Sequence, residues 1–228
     1  MISVIIPTFN EKENIEKLIP GIFGQFLATG MEGEVIIVDD NSPDGTADAA
    51  EAFRNRFNVR VLRRPGKMGL STAVLEGFRK SNSPFLCVMD ADHSHNPEAI
   101  PRMFKVLMRQ GADVVIGSRH VPGGSITGWP FHRKLISRGA KVLARPITDV
   151  KDPLSGFFML RRDALEGVEL NPRGYKILLE ILAKGKIKKV EEVPISFRDR
   201  KHGDSKLKKG EFWNYLRHSM GLWRSKRN

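Results

Sequence analysis

The 228 residues contain a single cysteine, Cys87, set inside an apolar run. A disulfide within the chain is therefore excluded, and a reducing compartment is the expected home. No apolar run approaches the roughly 18 residues that a bilayer-crossing helix requires. Met1 leads straight into ISVIIPTFNE, without the basic segment and long apolar stretch of a secretory leader, so neither a span nor a leader is expected. Tyrosine and tryptophan are scarce, at two and three residues, and no nucleic-acid-binding motif is visible. Internal repeats and low-complexity tracts are also missing. The remaining deficit is in acidic residues, 26 against 38 lysines and arginines, which leaves a formal charge of +12.

That charge asks for an anionic partner: nucleic acid, an acidic membrane surface or a phosphorylated substrate. It is concentrated late in the chain, in KGKIKK, FRDRKHGDSKLKKG and WRSKRN between residues 184 and 228, so it predicts a basic surface rather than a general excess. The length suits one domain with a sizeable core and perhaps a small appendage.

Short β-branched runs recur at SVIIP (3–7), EVIIVDD (34–40), NVRVL (58–62), PFLCVMD (84–90) and DVVIGSR (113–119). Continuous apolar runs, rather than alternating ones, imply strands covered on both faces. With helical segments of about a dozen residues between them, the first 120 residues read as a mostly parallel α/β sheet. Asn10 with Glu13 has the spacing of a capping box, and Asn96 before Pro97 that of an N-cap followed by proline. Beyond 120 the pattern loosens. HVPGGSITGWP reads as a loop, 132–145 as a helix, SGFFML (155–160) as a strand, YKILLEILAKG (175–185) as a helix and KKVEEVPISF as one strand. From Glu211 onward, Phe212, Leu216, Met220 and Trp223 recur at helical spacing among Arg217, Arg224 and Lys226.

In open parallel sheets ligands bind outside the carboxyl ends of the strands. PTFNE, DDNSPDGT, DADHSH and GSR all follow such ends, so four loops converge on one crevice. Asp90 and Asp92, two apart in extended chain, point to one side. Two like charges there repel unless a cation, a proton or a donor-rich ligand lies between them. Oxygen ligands of this kind suit Mg²⁺ or Mn²⁺, with phosphate oxygens and water completing the shell. His93 and His95 lack the partners of a zinc motif and read as packing or hydrogen-bonding residues. Asp39 and Asp40 end the second strand, where an acid can accept from a nucleobase ring N–H; capping by Asn41, Ser42 or Asp44 is the rival reading. A phosphoacceptor receiver domain carries its acidic pair after the first strand, not the second. Lys67, in RRPGKMGLST, is placed to approach phosphate, although the stretch is no Walker motif.

Taken together, VIIPTFNEKENI, EVIIVDDNSPDGT, GLSTAVLEGF, MDADHSHNPE, DVVIGSRH, RKLISRGA, DPLSGFF and EVPISFRDRKHGDSKL resemble the dolichyl-phosphate mannose synthase branch of the inverting family 2 glycosyltransferases, in a form without transmembrane spans. The resemblance covers residues 2–210 in order. It implies a GT-A fold, a single Rossmann-like, mostly parallel α/β sheet flanked by helices, with 1–210 as the catalytic domain; beyond it, 211–228 read as a basic amphipathic helix suited to membrane-interface contact, with a terminal helix packed on the core as the rival reading.

The resemblance also assigns roles. Pro7, Phe9, Glu11, Val38 and Asp40 go to the nucleoside, and Asp90, Ala91 and Asp92 to metal and diphosphate. Arg119, Arg200 and Lys206 hold phosphates, and Arg133 and Ser137 lie near the acceptor phosphate. Asp90, Asp92, Arg119 and Arg200 form the catalytic set, and Mg²⁺ or Mn²⁺ is the cofactor. The chain departs from the family at Phe9, where many relatives carry tyrosine. Ring packing survives, and a hydroxyl hydrogen bond worth about 0.5 to 1.5 kcal/mol is absent.

The implied reaction moves mannose from GDP-mannose to a dolichyl or other polyprenyl phosphate, on the cytoplasmic face of a membrane to which the protein is peripheral, with a small membrane subunit as a further partner and no nucleic acid. A phosphate acceptor is largely ionised near neutral pH, with a second pKa around 6, so it needs placement more than deprotonation. Two alternatives stay open: glucosyl transfer from UDP-glucose, since guanine and uracil both offer a ring N–H to Asp40, and a non-catalytic basic protein that binds nucleic acid.

Overall fold

The structure is a computed structural model. It describes residues 1–171, 176–198 and 222–223, leaving aside the side chains of 131–134. In chain order the elements are β1 (Ile2–Thr8), α1 (Lys12–Thr29), β2 (Gly33–Asp39), α2 (Thr46–Glu51), β3 (Val59–Arg63), α3 (Leu70–Lys80), β4 (Phe85–Val88), α4 (Ala99–Gln110), β5 (Val114–Ser118), β6 (Ser125–Thr127), α5 (Phe131–Ala144), β7 (Phe158–Arg161), α6 (Ile177–Lys184), β8 (Val190–Pro194) and β9 (Ser196–Arg198).

Seven strands form one sheet in the order β3-β2-β1-β4-β7-β5-β8. Only β7 runs antiparallel to its neighbours, β4 and β5. The apolar runs alternate between two buried faces. Val4, Ile6, Val35, Ile37, Cys87 and Met159 pack with α1 and α4, whereas Ile5, Ile36, Val38, Leu86, Val88 and Phe158 pack with α3 and α6. Burial on both sides explains why these strands read as unbroken hydrophobic stretches. α3 lies so close to β1 that a Cβ on Gly77 would come within 2.4 Å of Ile5.

The strand order runs outward from β1 through β2 to β3 and then restarts at β4 on the other side of β1. Such a reversal opens a crevice beyond the carboxyl ends of the two strands that flank it. The loops after β1 and β4, which carry Phe9–Glu11 and Asp90–Asp92, meet there.

Four local expectations are corrected. The stretch expected to be a loop contains β6, which pairs in parallel with β9 as a separate two-stranded sheet. KKVEEVPISF is two strands: β8 joins the main sheet beside β5, and the chain then crosses to β6. The capping box at Asn10 and Glu13 does not form. Asn10 adopts a left-handed φ of 57°, and Glu11 occupies the N-cap of α1 without a side-chain cap. The N–H groups of Asn10, Glu11 and Lys12 instead donate to Ser42 Oγ (3.0 Å), Thr46 Oγ1 (2.9 Å) and Asp44 Oδ2 (3.1 Å). Residues of the β2–α2 loop thus cap α1 and tie the first two site loops together. At α4 the helix starts two residues later than Asn96–Pro97 suggests, with Glu98 at the N-cap and no side-chain cap; Asn96 Oδ1 accepts the Glu98 N–H at 3.1 Å in the preceding turn.

Candidate active site at the carboxyl end of the sheet

The two aspartate pairs are built differently. Asp39 is buried and accepts from Thr8 Oγ1 (3.0 Å), the Ser42 N–H (2.8 Å) and Ser42 Oγ (2.6 Å), so it organises its own turn. Asp40 is also buried. Its Oδ1 pairs with Arg64 Nη1 at 2.6 Å, and its Oδ2 accepts the N–H groups of Met68 and Gly69 at 3.2 Å each. Arg64 reaches on to the Gly69 carbonyl and Thr72 Oγ1. Asp40 therefore pins the strap 64–69 against the end of β2. A carboxylate has about four lone-pair directions, so three acceptances leave one for a ligand.

Asp90 and Asp92 are half-buried rather than enclosed. Asp92 Oδ1 accepts the Ser94 N–H at 3.1 Å across a turn in which His93 has a φ of 55°. Asp90 makes no hydrogen bond among the described residues. Its side chain is 30% exposed, and Oδ2 lies 3.9 Å from His95 Nδ1. A Cβ on Gly156 would stand 2.5 Å from Asp90 Oδ2, so only glycine leaves room for this carboxylate. Among the described residues no cluster of three or more metal-ligating side chains forms. The chain offers two hard carboxylates and leaves the rest of a divalent shell to other oxygens, a donor set that fits Mg²⁺ or Mn²⁺ bound together with a diphosphate.

The residues expected at the nucleoside are only partly gathered. Pro7, Phe9 and Glu11 are half-exposed at the end of β1, and Lys67 Nζ sits 4.1 Å from the Phe9 ring centroid. Glu11 Oε2 accepts from Asn14 Nδ2 at 2.6 Å. Val38 buries its side chain in the core, so only its main chain can face a ligand. Ala91 is buried between the two aspartates.

Arg119, expected to hold phosphate, is already forked onto Asp152, with Nε to Oδ2 at 2.8 Å, Nη2 to Oδ1 at 2.7 Å and its own N–H to Oδ2 at 2.9 Å. Its guanidinium lies 5.4 Å from the Trp129 ring and 5.2 Å from the Phe197 ring. Burial alone would raise the Asp152 carboxyl, but the Arg119 fork more than reverses this and holds it below the ordinary range. Lys151 and Asp152 in turn donate their N–H groups to Glu192. Asp152 is the residue that reading by motif passed over. DPLSGFF contained it, but nothing local announces a partner 33 residues away.

His95 is buried between Phe157 and Phe197, with ring centroids at 5.2 and 5.4 Å, and burial lowers its pKa. Ser137 is half-buried on α5. The side chain of Arg133, together with Arg200 and Lys206, lies outside the described residues, as does the segment 211–228 apart from Leu222 and Trp223.

Comparison with known proteins gives a consistent picture. Residues 3–168 match the family described as glycosyl transferase family 2. A dolichol-phosphate mannosyltransferase from Pyrococcus furiosus is 49% identical over 95% of this chain; the chain spans 62% of that relative's length. The dolichol-phosphate mannosyltransferase of Saccharomyces cerevisiae is 38% identical, with 97% of this chain and 86% of that protein covered. The corresponding protein of Mycosarcoma maydis is also 38% identical, with 97% and 79% covered. Among solved structures, glucosyl-3-phosphoglycerate synthase from Mycobacterium tuberculosis, in complex with Mn²⁺, UDP-glucose and phosphoglyceric acid, superposes with a TM-score of 0.71 at 20% identity over 99% of this chain and 79% of that one. At that identity the likeness speaks for the fold.

Proposed function

The chain belongs to glycosyl transferase family 2, and from that premise we propose that it moves mannose from GDP-mannose to a dolichyl or other polyprenyl phosphate, inverting the anomeric centre and releasing GDP. The observation that carries the reading is the half-buried Asp90–Asp92 pair at the strand-order reversal, on a chain 38 to 49% identical to dolichol-phosphate mannosyltransferases.

Asp90 and Asp92 would hold a divalent cation, Mg²⁺ or Mn²⁺, as the related fold does in the Mycobacterium tuberculosis complex. When bound, such an ion neutralises charge developing on the departing diphosphate. Phe9 offers an aromatic face to the base, and Asp40 offers its remaining lone pair to a ring N–H. Lys67, now over Phe9, is within reach of the same nucleotide. Arg119 contributes a cation whose orientation Asp152 fixes in advance, so little reorganisation accompanies charge development. Arg200 and Lys206 take the remaining phosphate contacts, and Arg133 and Ser137 those of the acceptor. The acceptor is already ionised and attacks in line, so no separate general base is needed.

A polyprenyl acceptor places the protein at a membrane surface. No helix among the described residues is long and apolar enough to cross one; the association proposed is peripheral and on the cytoplasmic face. In support, α5 buries Ala144 and packs Ala140 and Leu143 inward, yet exposes Leu135, Ile136 and Val142 on its outer side. Arg138, Lys141 and Arg145 flank them, and residues 120–148 contain no acidic side chain. An apolar strip edged by cations suits the headgroup region of an anionic bilayer. Residues 1–210 form the catalytic unit and 211–228 add to this contact, with Leu222 anchored beside Ala144 and Trp223 exposed. A small membrane subunit remains a further partner.

The test is incubation with Mn²⁺, a short polyprenyl phosphate in detergent, and either GDP-mannose or UDP-glucose, with glycolipid read by mass spectrometry. Mannolipid that forms only with the cation is the expected product. Glucolipid alone would replace the donor, and no lipid product from either donor would overturn the proposal.

A further inference from the structure

His95, the last residue of DADHSH, has no part in the proposed reaction. Its ring is enclosed, 2% exposed, between Phe157 and Phe197. A leucine or phenylalanine would fill that space without burying polar atoms. Yet Nδ1 is buried with no hydrogen-bond partner among the described residues, and the polar atom it faces is Asp90 Oδ2, 3.9 Å away. Buried polar atoms in native proteins have partners as a rule, and an exception calls for a cause.

The opposite side of Asp90 narrows the choice. Gly156 abuts Oδ2 so closely that any side chain there would overlap it. Oδ2 thus lies between Gly156 and the imidazole, while the carboxylate stays partly open to solvent. A neutral ring carries one N–H. Were Nδ1 the bare nitrogen, its lone pair would be turned toward a carboxylate oxygen, so the proton belongs on Nδ1; a charged ring would carry one there in any case. A small turn of Asp90, which is open toward solvent, closes the remaining distance.

We infer that His95 is a positioning residue: it donates from Nδ1 to Asp90 Oδ2 and so turns the other oxygen, Oδ1, toward the divalent cation. Groups that orient a metal-binding side chain in this way commonly alter metal affinity 10- to 100-fold when removed. This inference rests on the metal reading proposed above, and its test separates the two.

The experiment measures Mn²⁺ affinity by electron paramagnetic resonance in the presence of GDP, alongside melting temperature, for wild type, His95→Leu and His95→Asn. The amide nitrogen of asparagine occupies the place of Nδ1 relative to Cγ, whereas both variants lose the ring packing. Both should therefore melt lower by similar amounts. Only His95→Leu should weaken Mn²⁺, by about tenfold, with His95→Asn restored to within about threefold of wild type. Equal weakening in both variants, or none in either, would overturn the inference while leaving the metal site standing. A wild type that binds no Mn²⁺ would overturn the metal reading and the inference with it. Should His95→Leu fail to fold, ¹⁵N spectra of histidine-labelled wild type decide: a proton on Nδ1 is expected, and a bare Nδ1 contradicts the assignment.

Discussion

Asp39 ends β2 and Asp40 follows it, while Asp90 and Asp92 follow β4, on opposite sides of β1 at the same end of the sheet. The first pair is held by Thr8, Ser42, Arg64 and the main chain of 68 and 69. In the second, Asp90 makes no hydrogen bond among the described residues and both side chains are partly open to solvent. The enclosed pair holds loops in place, with one lone pair of Asp40 to spare, whereas the second pair is half-open to solvent. Reading the sequence alone, both pairs look alike; in the fold the first is enclosed by its own loops and the second is half-buried.

That contrast is broken most sharply by exchanging the two roles. Asp92→Asn should lower mannosyl transfer about a thousandfold, several kcal/mol of barrier, with little change in melting temperature. Asp40→Asn should do the reverse in emphasis, since its Arg64 partner is left charged and enclosed. Breaking a buried pair of this kind costs about 3 to 5 kcal/mol, and denaturant unfolding measures it. If Asp40→Asn unfolds like wild type, the framework role is wrong.

Asp152→Asn extends the comparison to the Arg119 fork and should cost about 3 kcal/mol near neutral pH. Because Arg119 holds the folded carboxyl below its ordinary value, that contribution is present above the unfolded pKa of about 3.9 and is lost as pH falls through the depressed folded value. Unfolding curves of the two proteins should therefore converge at strongly acid pH. A gap that persists there would point to packing instead.

Gly156→Ala is smaller and more specific. The added Cβ must displace the Asp90 carboxylate, which is a mobile end with solvent beside it, so the fold should survive while Mn²⁺ affinity drops about tenfold. The smallest effect is expected at Phe9→Tyr. Restoring the ring hydroxyl should tighten the donor by about 0.5 to 1.5 kcal/mol, read as a lower KM for GDP-mannose. An unchanged KM would mean that no acceptor lies at that ring edge.

The sheet was legible because both faces are buried: β1, β2, β4, β5 and β7 each carry a continuous apolar run, and only the edge strand β3 is interrupted, at Arg60. What escaped was carried by distant partners. β6 and β9 are three residues long, polar at Ser125, Thr127 and Ser196, and pair across about 70 residues of chain, leaving no local pattern to read. The start of α1 looked like a capping box, but its donors are met by Ser42, Asp44 and Thr46 from another loop, which the spacing of Asn10 and Glu13 cannot reveal. Likewise Asp90 and Asp92 were conspicuous as a pair, whereas the fork that orients Arg119 and the glycine that admits Asp90 became visible only once β7 lay beside β4 and β5.

Calorimetric titration of GDP-mannose, with and without Mn²⁺, into wild type and Asp92→Asn tests the central claim most directly. Binding that the cation strengthens in wild type and leaves unchanged in Asp92→Asn is the predicted result; cation-dependent binding of native strength in Asp92→Asn would contradict it.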